Sequence, residues 1–140
     1  MNVTVDDLMA RQVVTAEPHH TAAHVGRLMD RNHVHAIPIV DTQKRPIGIV
    51  SRTDLTETVK NGTPVNHFMT ERVFTVPRYE DASIAARVMR NQKIHRVIVT
   101  EDQKVVGVLS AFDLLALVEE HRFVMKNPPT PAKRHANRRR

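Results

Sequence analysis

The sequence predicts an α/β fold made of two tandem β-α-β-β-α repeats packed with pseudo-two-fold symmetry. Three observations carry that expectation. The chain repeats itself: displaced by 60 positions, Met9 falls on Met69, Val13 on Val73, Thr15 on Thr75, Ala22 on Ala82, Met29 on Met89 and His35 on His95. Past a turn that is one residue shorter in the second copy, the displacement becomes 59. Gly48, Ser51, Asp54, Leu55 and Val59 then fall on Gly107, Ser110, Asp113, Leu114 and Val118. The hydrophobic period also switches between helical and strand-like in the same order in both copies. Finally, one copy of about 60 residues would leave apolar strand and helix faces uncovered, so the two copies must cover each other.

Each copy opens on a short apolar strand, "VVT" at 13–15 and "VFT" at 73–75. "TAAHVGRLMDRN" then places Ala22, Val25, Leu28 and Met29 on one helical face, and "DASIAARVMRNQ" does the same with Ala82, Ala85, Val88 and Met89. Thr21 and Asp81 precede these faces as N-caps. Next come two short, continuous apolar runs per copy: "AIPIV" and "IGIV" around "DTQKRP", then "RVIVT" and "VVGVLS" around "EDQK". Runs of this kind, bounded by turn residues, suit strands covered on both faces. A closing helix is expected in each copy, carrying Leu55 and Val59 in the first and Leu114, Leu115 and Val118 in the second. The division expected is a first repeat at 1–60, a linker "NGTP" at 61–64, a second repeat at 65–122 and a basic, proline-containing, disordered tail at 123–140.

The absence of cysteine excludes a disulfide framework, a thiolate metal site and a thiol nucleophile, and it is compatible with a reducing cytoplasm. "MNVTVDDLMARQ" is acidic and lacks the continuous apolar core of a secretory signal, and no stretch approaches the length of a membrane span. A soluble cytoplasmic protein without membrane contact is therefore expected. The net charge of +6 is not spread over the body: residues 1–125 hold 15 Lys+Arg and 15 Asp+Glu, and the excess comes from Lys126, Lys133, Arg134, Arg138, Arg139 and Arg140. That tail reads either as a solubilising terminus or as a basic arm for nucleic acid at 126–140. No aromatic residue is interleaved with its cations to stack on bases.

The octets "GIVSRTDL" (48–55) and "GVLSAFDL" (107–114) both fit S-x-x-D, the pattern of a helix capping box. The same residues suit a ligand. An ionised Asp accepts only, so Asp54 or Asp113 can take both hydroxyl protons of a ribose diol. The serine stands where free backbone N–H groups and the helix dipole favour an anion. Thr53 adds a hydroxyl where the second copy has Phe112. From the octets alone, capping and ligand binding both stand.

The order, spacing and duplication of "VDDLM" and "VNHFM", "HAIPIV" and "HRVIV", and the two octets resemble the paired CBS domain, or Bateman module, over residues 5 to about 120. The resemblance implies a stand-alone regulatory module rather than an enzyme. It would bind AMP, ADP or ATP, with S-adenosylmethionine or NAD as further candidates, in clefts between the repeats. It would act on a separate, unidentified partner protein and dimerise into a flat disc through its helices. One cleft would join Ser51, Thr53 and Asp54 to His95 and Arg96 of the other repeat, a pair similar to the phosphate-contacting pair of the γ subunit of AMP-activated protein kinase. The other would join Ser110 and Asp113 to His35, without an arginine because Ala36 stands where Arg96 does. The first cleft is expected to fill first. Thr15 and Thr75, ending the leading strands, would contact adenine or sugar, and Ile37, Pro38, Val97 and Ile98 would wall the adenine slot. Ordinary strand occupancy and core packing also explain these six, and hydrogen bonds from the imidazoles to backbone would explain the histidines.

Two other function classes fare less well. Of nine histidines, His20 and His24 lie four apart, but His20 precedes the cap and no nearby acid completes a ligand set, so no metal site is expected. No G-x-S-x-G or phosphate-loop signature is present, and the octet acids are better placed for a sugar than for paired acid and base work. A nucleic-acid-associated protein with degenerate clefts remains the alternative.

Overall fold

The computed structural model describes residues 2–11, 13–56 and 58–120; the expected tail at 123–140, with its nucleic-acid arm, lies outside them. Within the described residues the chain forms an α/β module with two sheets. In chain order its elements are α1 (Val5–Leu8), α2 (Ala22–Asn32), β1 (Ala36–Val40), β2 (Pro46–Ser51), 3₁₀ turns at Arg52–Asp54 and Val65–His67, β3 (Thr75–Pro77), α3 (Ala82–Gln92), β4 (Arg96–Glu101), β5 (Lys104–Ser110) and α4 (Ala111–Glu119). One sheet pairs β1 with β2 antiparallel; the other places β4 between β3, parallel, and β5, antiparallel. Every residue of β1 is buried, as its continuous apolar run requires.

The long helices begin and end as the sequence dictates. Thr21 Oγ1 accepts from the His24 N–H at 3.2 Å, and Asp81 Oδ1 accepts from the Ser83 N–H at 2.9 Å. Both helices close on a left-handed residue, His33 and Lys93, each with φ 56°, a conformation in which glycine would carry less strain.

Two expected elements differ, each for a local reason. The leading strand of the second repeat starts at Thr75 and runs to Pro77 rather than ending at Thr75, and the first repeat keeps only a bridge between Ala16 and Ile39. In the second repeat the Ile98 N–H donates to the Phe74 carbonyl at 2.9 Å. The matching residue in the first repeat is Pro38, which has no N–H to give, so the segment is held at Ala16 alone, by bonds of 3.1 and 2.9 Å to Pro38 and from Val40. The first closing helix is also missing: where α4 has "AFDLLALVE", the first repeat has a single 3₁₀ turn over "RTD". Thr53, Thr56, Thr58 and Val59 are stiff at χ1 and weaken a helix, whereas alanine and leucine favour one. The Thr56 and Thr58 hydroxyls bond to each other at 2.7 Å instead, while Leu55 still packs on the first core.

There are two cores, and each recruits a segment from the opposite repeat. Val25, Met29, Ile37, Ile39 and Val50 enclose Val65, whereas Val76, Ala85, Met89, Val97, Val99 and Leu109 enclose Val5 and Met9. The bonds match across the pseudo-two-fold: Val5 N–H donates to Glu80 O and Val65 N–H to His20 O, both at 2.8 Å. The duplicated glycines explain themselves here. A Cβ on Gly48 would strike the Met69 side chain, and one on Gly107 would lie 2.7 Å from Met9 Sδ and 3.0 Å from the Ala10 carbonyl oxygen. Asp6 adds an ion pair with no counterpart, because Asn66 and Pro18 stand where the second repeat uses Asp6 and Arg78. Arg78 donates to Asp6 Oδ1 at 2.7 and 3.0 Å and to Glu101 Oε1 at 2.7 Å.

Candidate functional site

The exchange of segments leaves two clefts between the repeats, one at each octet. In the first octet Asp54 Oδ2 accepts from the Ser51 N–H at 2.8 Å and from its hydroxyl at 3.1 Å. In the second, Asp113 Oδ2 accepts from the Ser110 N–H at 2.9 Å and the Ser110 hydroxyl accepts from the Asp113 N–H at 3.1 Å. Capping is therefore present in both copies, and it does not consume the acid. Among the described residues no hydrogen bond reaches Oδ1 of Asp54, whose two lone pairs suffice for two hydroxyl donors. Oδ2 of Asp54 already accepts twice from Ser51, so the open acceptor positions lie on Oδ1.

Behind each octet lies the histidine that starts the preceding strand. His35 and His95 hold it through their backbone carbonyls, which accept from the Arg52 and Ala111 N–H groups, each at 2.8 Å. Neither imidazole makes a hydrogen bond among the described residues, so the histidines serve the backbone with their carbonyls rather than by imidazole donation.

The first cleft is a cavity of about 270 Å³ that brings Ser51 and Asp54 together with His95, Arg96 and Ile98 of the second repeat. Arg72, Phe74, Lys93 and Ile94 complete its wall, and the Arg72 guanidinium lies 5.2 Å from the centroid of the Phe74 ring. The second cleft, about 560 Å³, brings Ser110 and Asp113 together with His33, His35 and Ala36 of the first repeat. Phe112 stands at this cleft with 78% of its surface exposed. Arg96 lines the second cleft as well as the first. The expectation of a second cleft without an arginine is corrected on this point: one guanidinium, at the start of the strand between them, borders both.

The remaining candidates lie elsewhere. Thr53 is outside the first cleft, its hydroxyl 3.0 Å from Ser51 Oγ, where it orients that serine. Thr15 lines a different groove with Lys44, Glu101 and Lys104, and Thr75 is exposed on β3. Ile37 and Val97 are fully buried in the two cores and Pro38 is buried in β1, while Ile98, the counterpart of Pro38, lines the first cleft. Arg72 and Lys93 are cleft residues that the repeat pattern obscured, since neither is duplicated: His33 matches Lys93, and Gln12 matches Arg72. Lys93 lies two positions before His95, a spacing from which it could have been found.

Three histidines gather around the start of α2 with their rings tilted against one another, centroids 4.5 Å apart for His19 and His20 and 4.4 Å for His20 and His24. His20 Nδ1 accepts from the Glu17 N–H at 2.9 Å. Burial, then the neighbouring His20 and the arginines of α2, push His24 below its ordinary range. Among the described residues no group of three His, Cys, Asp or Glu side chains is arranged to hold a metal ion, and no helix is long and apolar enough to cross a membrane.

The family model for the CBS domain matches the chain twice, over residues 5–61 and 65–120. The inosine-5'-monophosphate dehydrogenase of Halobacterium salinarum is 37% identical over 106 residues, 74% of this chain and 21% of its own length. The chain spans between about a fifth and two-fifths of the first curated relatives it matches, at 21%, 40% and 25%. Among solved structures, the CBS domain pair of protein MJ0100 in complex with 5'-methylthioadenosine and S-adenosyl-L-methionine is similar with a TM-score of 0.78 and 23% identity, covering 86% of this chain and 99% of that one. A putative acetoin utilization protein from Vibrio cholerae follows with a TM-score of 0.74 and 26% identity, covering 87% and 94%.

Proposed function

The chain belongs to the CBS-domain family, as a tandem pair, and from that premise we propose that it is a regulatory module, not an enzyme, that binds an adenosine nucleotide and acts on a separate partner protein in the cytoplasm. The observation that carries this reading is the first cleft. Ser51 and Asp54 from one repeat face His95 and Arg96 from the other across one cavity. A ribose diol on Asp54 and a phosphate toward Arg96 would read a nucleotide from both ends of its sugar, with Phe74, Ile94 and Ile98 as apolar contacts for the base. The adenosine-type ligands bound by the CBS pair of MJ0100 support the same class. Because the ligand contacts both repeats, it binds one arrangement of them more tightly than another, and that difference is what a partner can sense.

A homodimer is part of the proposal. Phe112, Leu115 and Val118 lie along one stripe of α4 with 78, 56 and 58% of their surfaces exposed, an apolar face of the kind that marks an association site. A second copy burying α4 accounts for it, and sedimentation of Leu115→Asp should then give a monomer where the parent chain gives a dimer.

Calorimetry and thermal shift with AMP, ADP, ATP, S-adenosylmethionine and NAD test the nucleotide assignment. At least one should bind stoichiometrically and raise heat stability by mass action, and Asp54→Ala should remove that signal. If none of the five binds, the sensing role fails for adenosine ligands.

A further inference from the structure

Among the described residues, three fixed cations and one carboxylate make up the charged lining of the first cleft: Arg72, Lys93 and Arg96 against Asp54. Among the described residues no ion pair engages any of the three cations. Arg72 is held against the Phe74 ring of the same wall, and Lys93 occupies the left-handed position that closes α3. Keeping a lysine there, where glycine would carry less strain, places an amine at the cleft. The second cleft is the internal control. Arg96 is the one fixed cation among its described lining residues, with His33 in place of Lys93.

Building on the adenosine-nucleotide reading of this cleft, we propose that Arg72 and Lys93 are specificity-determining residues that make it select adenosine ligands carrying two or more phosphates over the bare nucleoside, the monophosphate and net-cationic sulfonium ligands. Arg96 and the open end of the octet suffice for one phosphate. The additional two cations have no second phosphate to meet in a monophosphate complex. A second phosphate brings negative charge to them, and each such contact is a charge-assisted hydrogen bond of the stronger kind. A sulfonium group would meet the same cations as a like charge.

The test is calorimetry on the full chain at fixed ionic strength with adenosine, AMP, ADP, pyrophosphate and S-adenosylmethionine. Affinity should rise from adenosine through AMP to ADP, the last step by about 10- to 100-fold, with S-adenosylmethionine no tighter than adenosine and pyrophosphate competing with ADP. In the double variant Arg72→Gln, Lys93→Gln, both at exposed positions, the ADP to AMP ratio should fall toward one. A flat ratio in the parent chain, or a double variant that keeps the parent ratio, overturns the proposal and leaves adenosine binding intact. Pyrophosphate binding without adenosine binding overturns the nucleoside reading and upholds selection for a multiply charged anion; if neither binds, both fall.

Discussion

Across the pseudo-two-fold, the two clefts share a frame and diverge in charge. Ser51 and Ser110, Asp54 and Asp113, His35 and His95, and the left-handed ends at His33 and Lys93 occupy matching places with matching backbone bonds. What does not match is the set of groups a ligand would meet: Arg72 and Lys93 on one side, Phe112 and Ala36 on the other. Residues preserved by the repeat build the frame of each cleft, and residues that break the repeat make the two linings differ. Arg96 complicates the comparison by bordering both cavities, so a phosphate that draws it into the first cleft withdraws it from the second.

The largest effect should come from the acids. Asp54→Ala should weaken nucleotide binding on the order of 100-fold, from two lost bonds to a charged acceptor, and calorimetry should find Asp113→Ala much milder; equal losses would erase the asymmetry. The interlocking glycines come next. Gly107→Ala should cost about 1–3 kcal/mol in chemical denaturation, because Met9 or the Ala10 carbonyl must move. Third, Ala36→Arg would supply the second cleft with its own guanidinium and should raise its affinity for AMP about 10-fold, read as a second calorimetric transition. Smaller still, Lys93→Gly and His33→Gly should each stabilise the fold by about 0.5–1 kcal/mol by relieving a left-handed side chain, but only Lys93→Gly should weaken ADP.

The smallest effect is on acid stability. Arg78 holds the Asp6 carboxyl below its ordinary 3.8, so the folded state binds that proton less readily than the unfolded chain. The stabilisation is complete above that value and lost as pH falls through the folded pKa. Asp41 and Asp81 are depressed too, by hydrogen bonds from Arg45 and Ser83 respectively. Asp6→Asn should flatten the acid limb of a stability against pH curve, and Asn66→Asp, at the matching place beside Pro18, should not steepen it.

The repeat and the order of its elements were legible because buried strands and amphipathic helices leave periodic marks. The absence of a first closing helix among the described residues follows from Thr53, Thr56 and Thr58, which the alignment of Leu55 and Val59 with Leu114 and Val118 does not reveal. The loss of the first leading strand turns on two absent N–H groups, at Pro38 and Pro18, where Ile98 and Arg78 donate to Phe74 and Thr100 in the second repeat. In the cleft, Ser51, Asp54, His95 and Arg96 could be read because a motif surrounds them. For Ile37 and Val97 the sequence carries no such mark, because in a continuous apolar strand a residue facing the core and one facing a cleft look alike. Arg72 and Lys93 belong to no duplicated motif and acquire meaning only once the chain brings them to Asp54.

The crossed seating of α1 and of the 65–67 turn also sets a timetable. Synthesis delivers the first core with its own plug close behind, since Val65 follows Val50 by one short stretch of chain. The second core must instead wait for strands ending at Ser110 before Val5 and Met9, made well ahead of them, have anywhere to go. That apolar segment is thus held in reserve until β5 is complete, exposed to whatever meets a nascent chain. Val5 and Met9 exist before the core that houses them and are placed only when its last strand arrives.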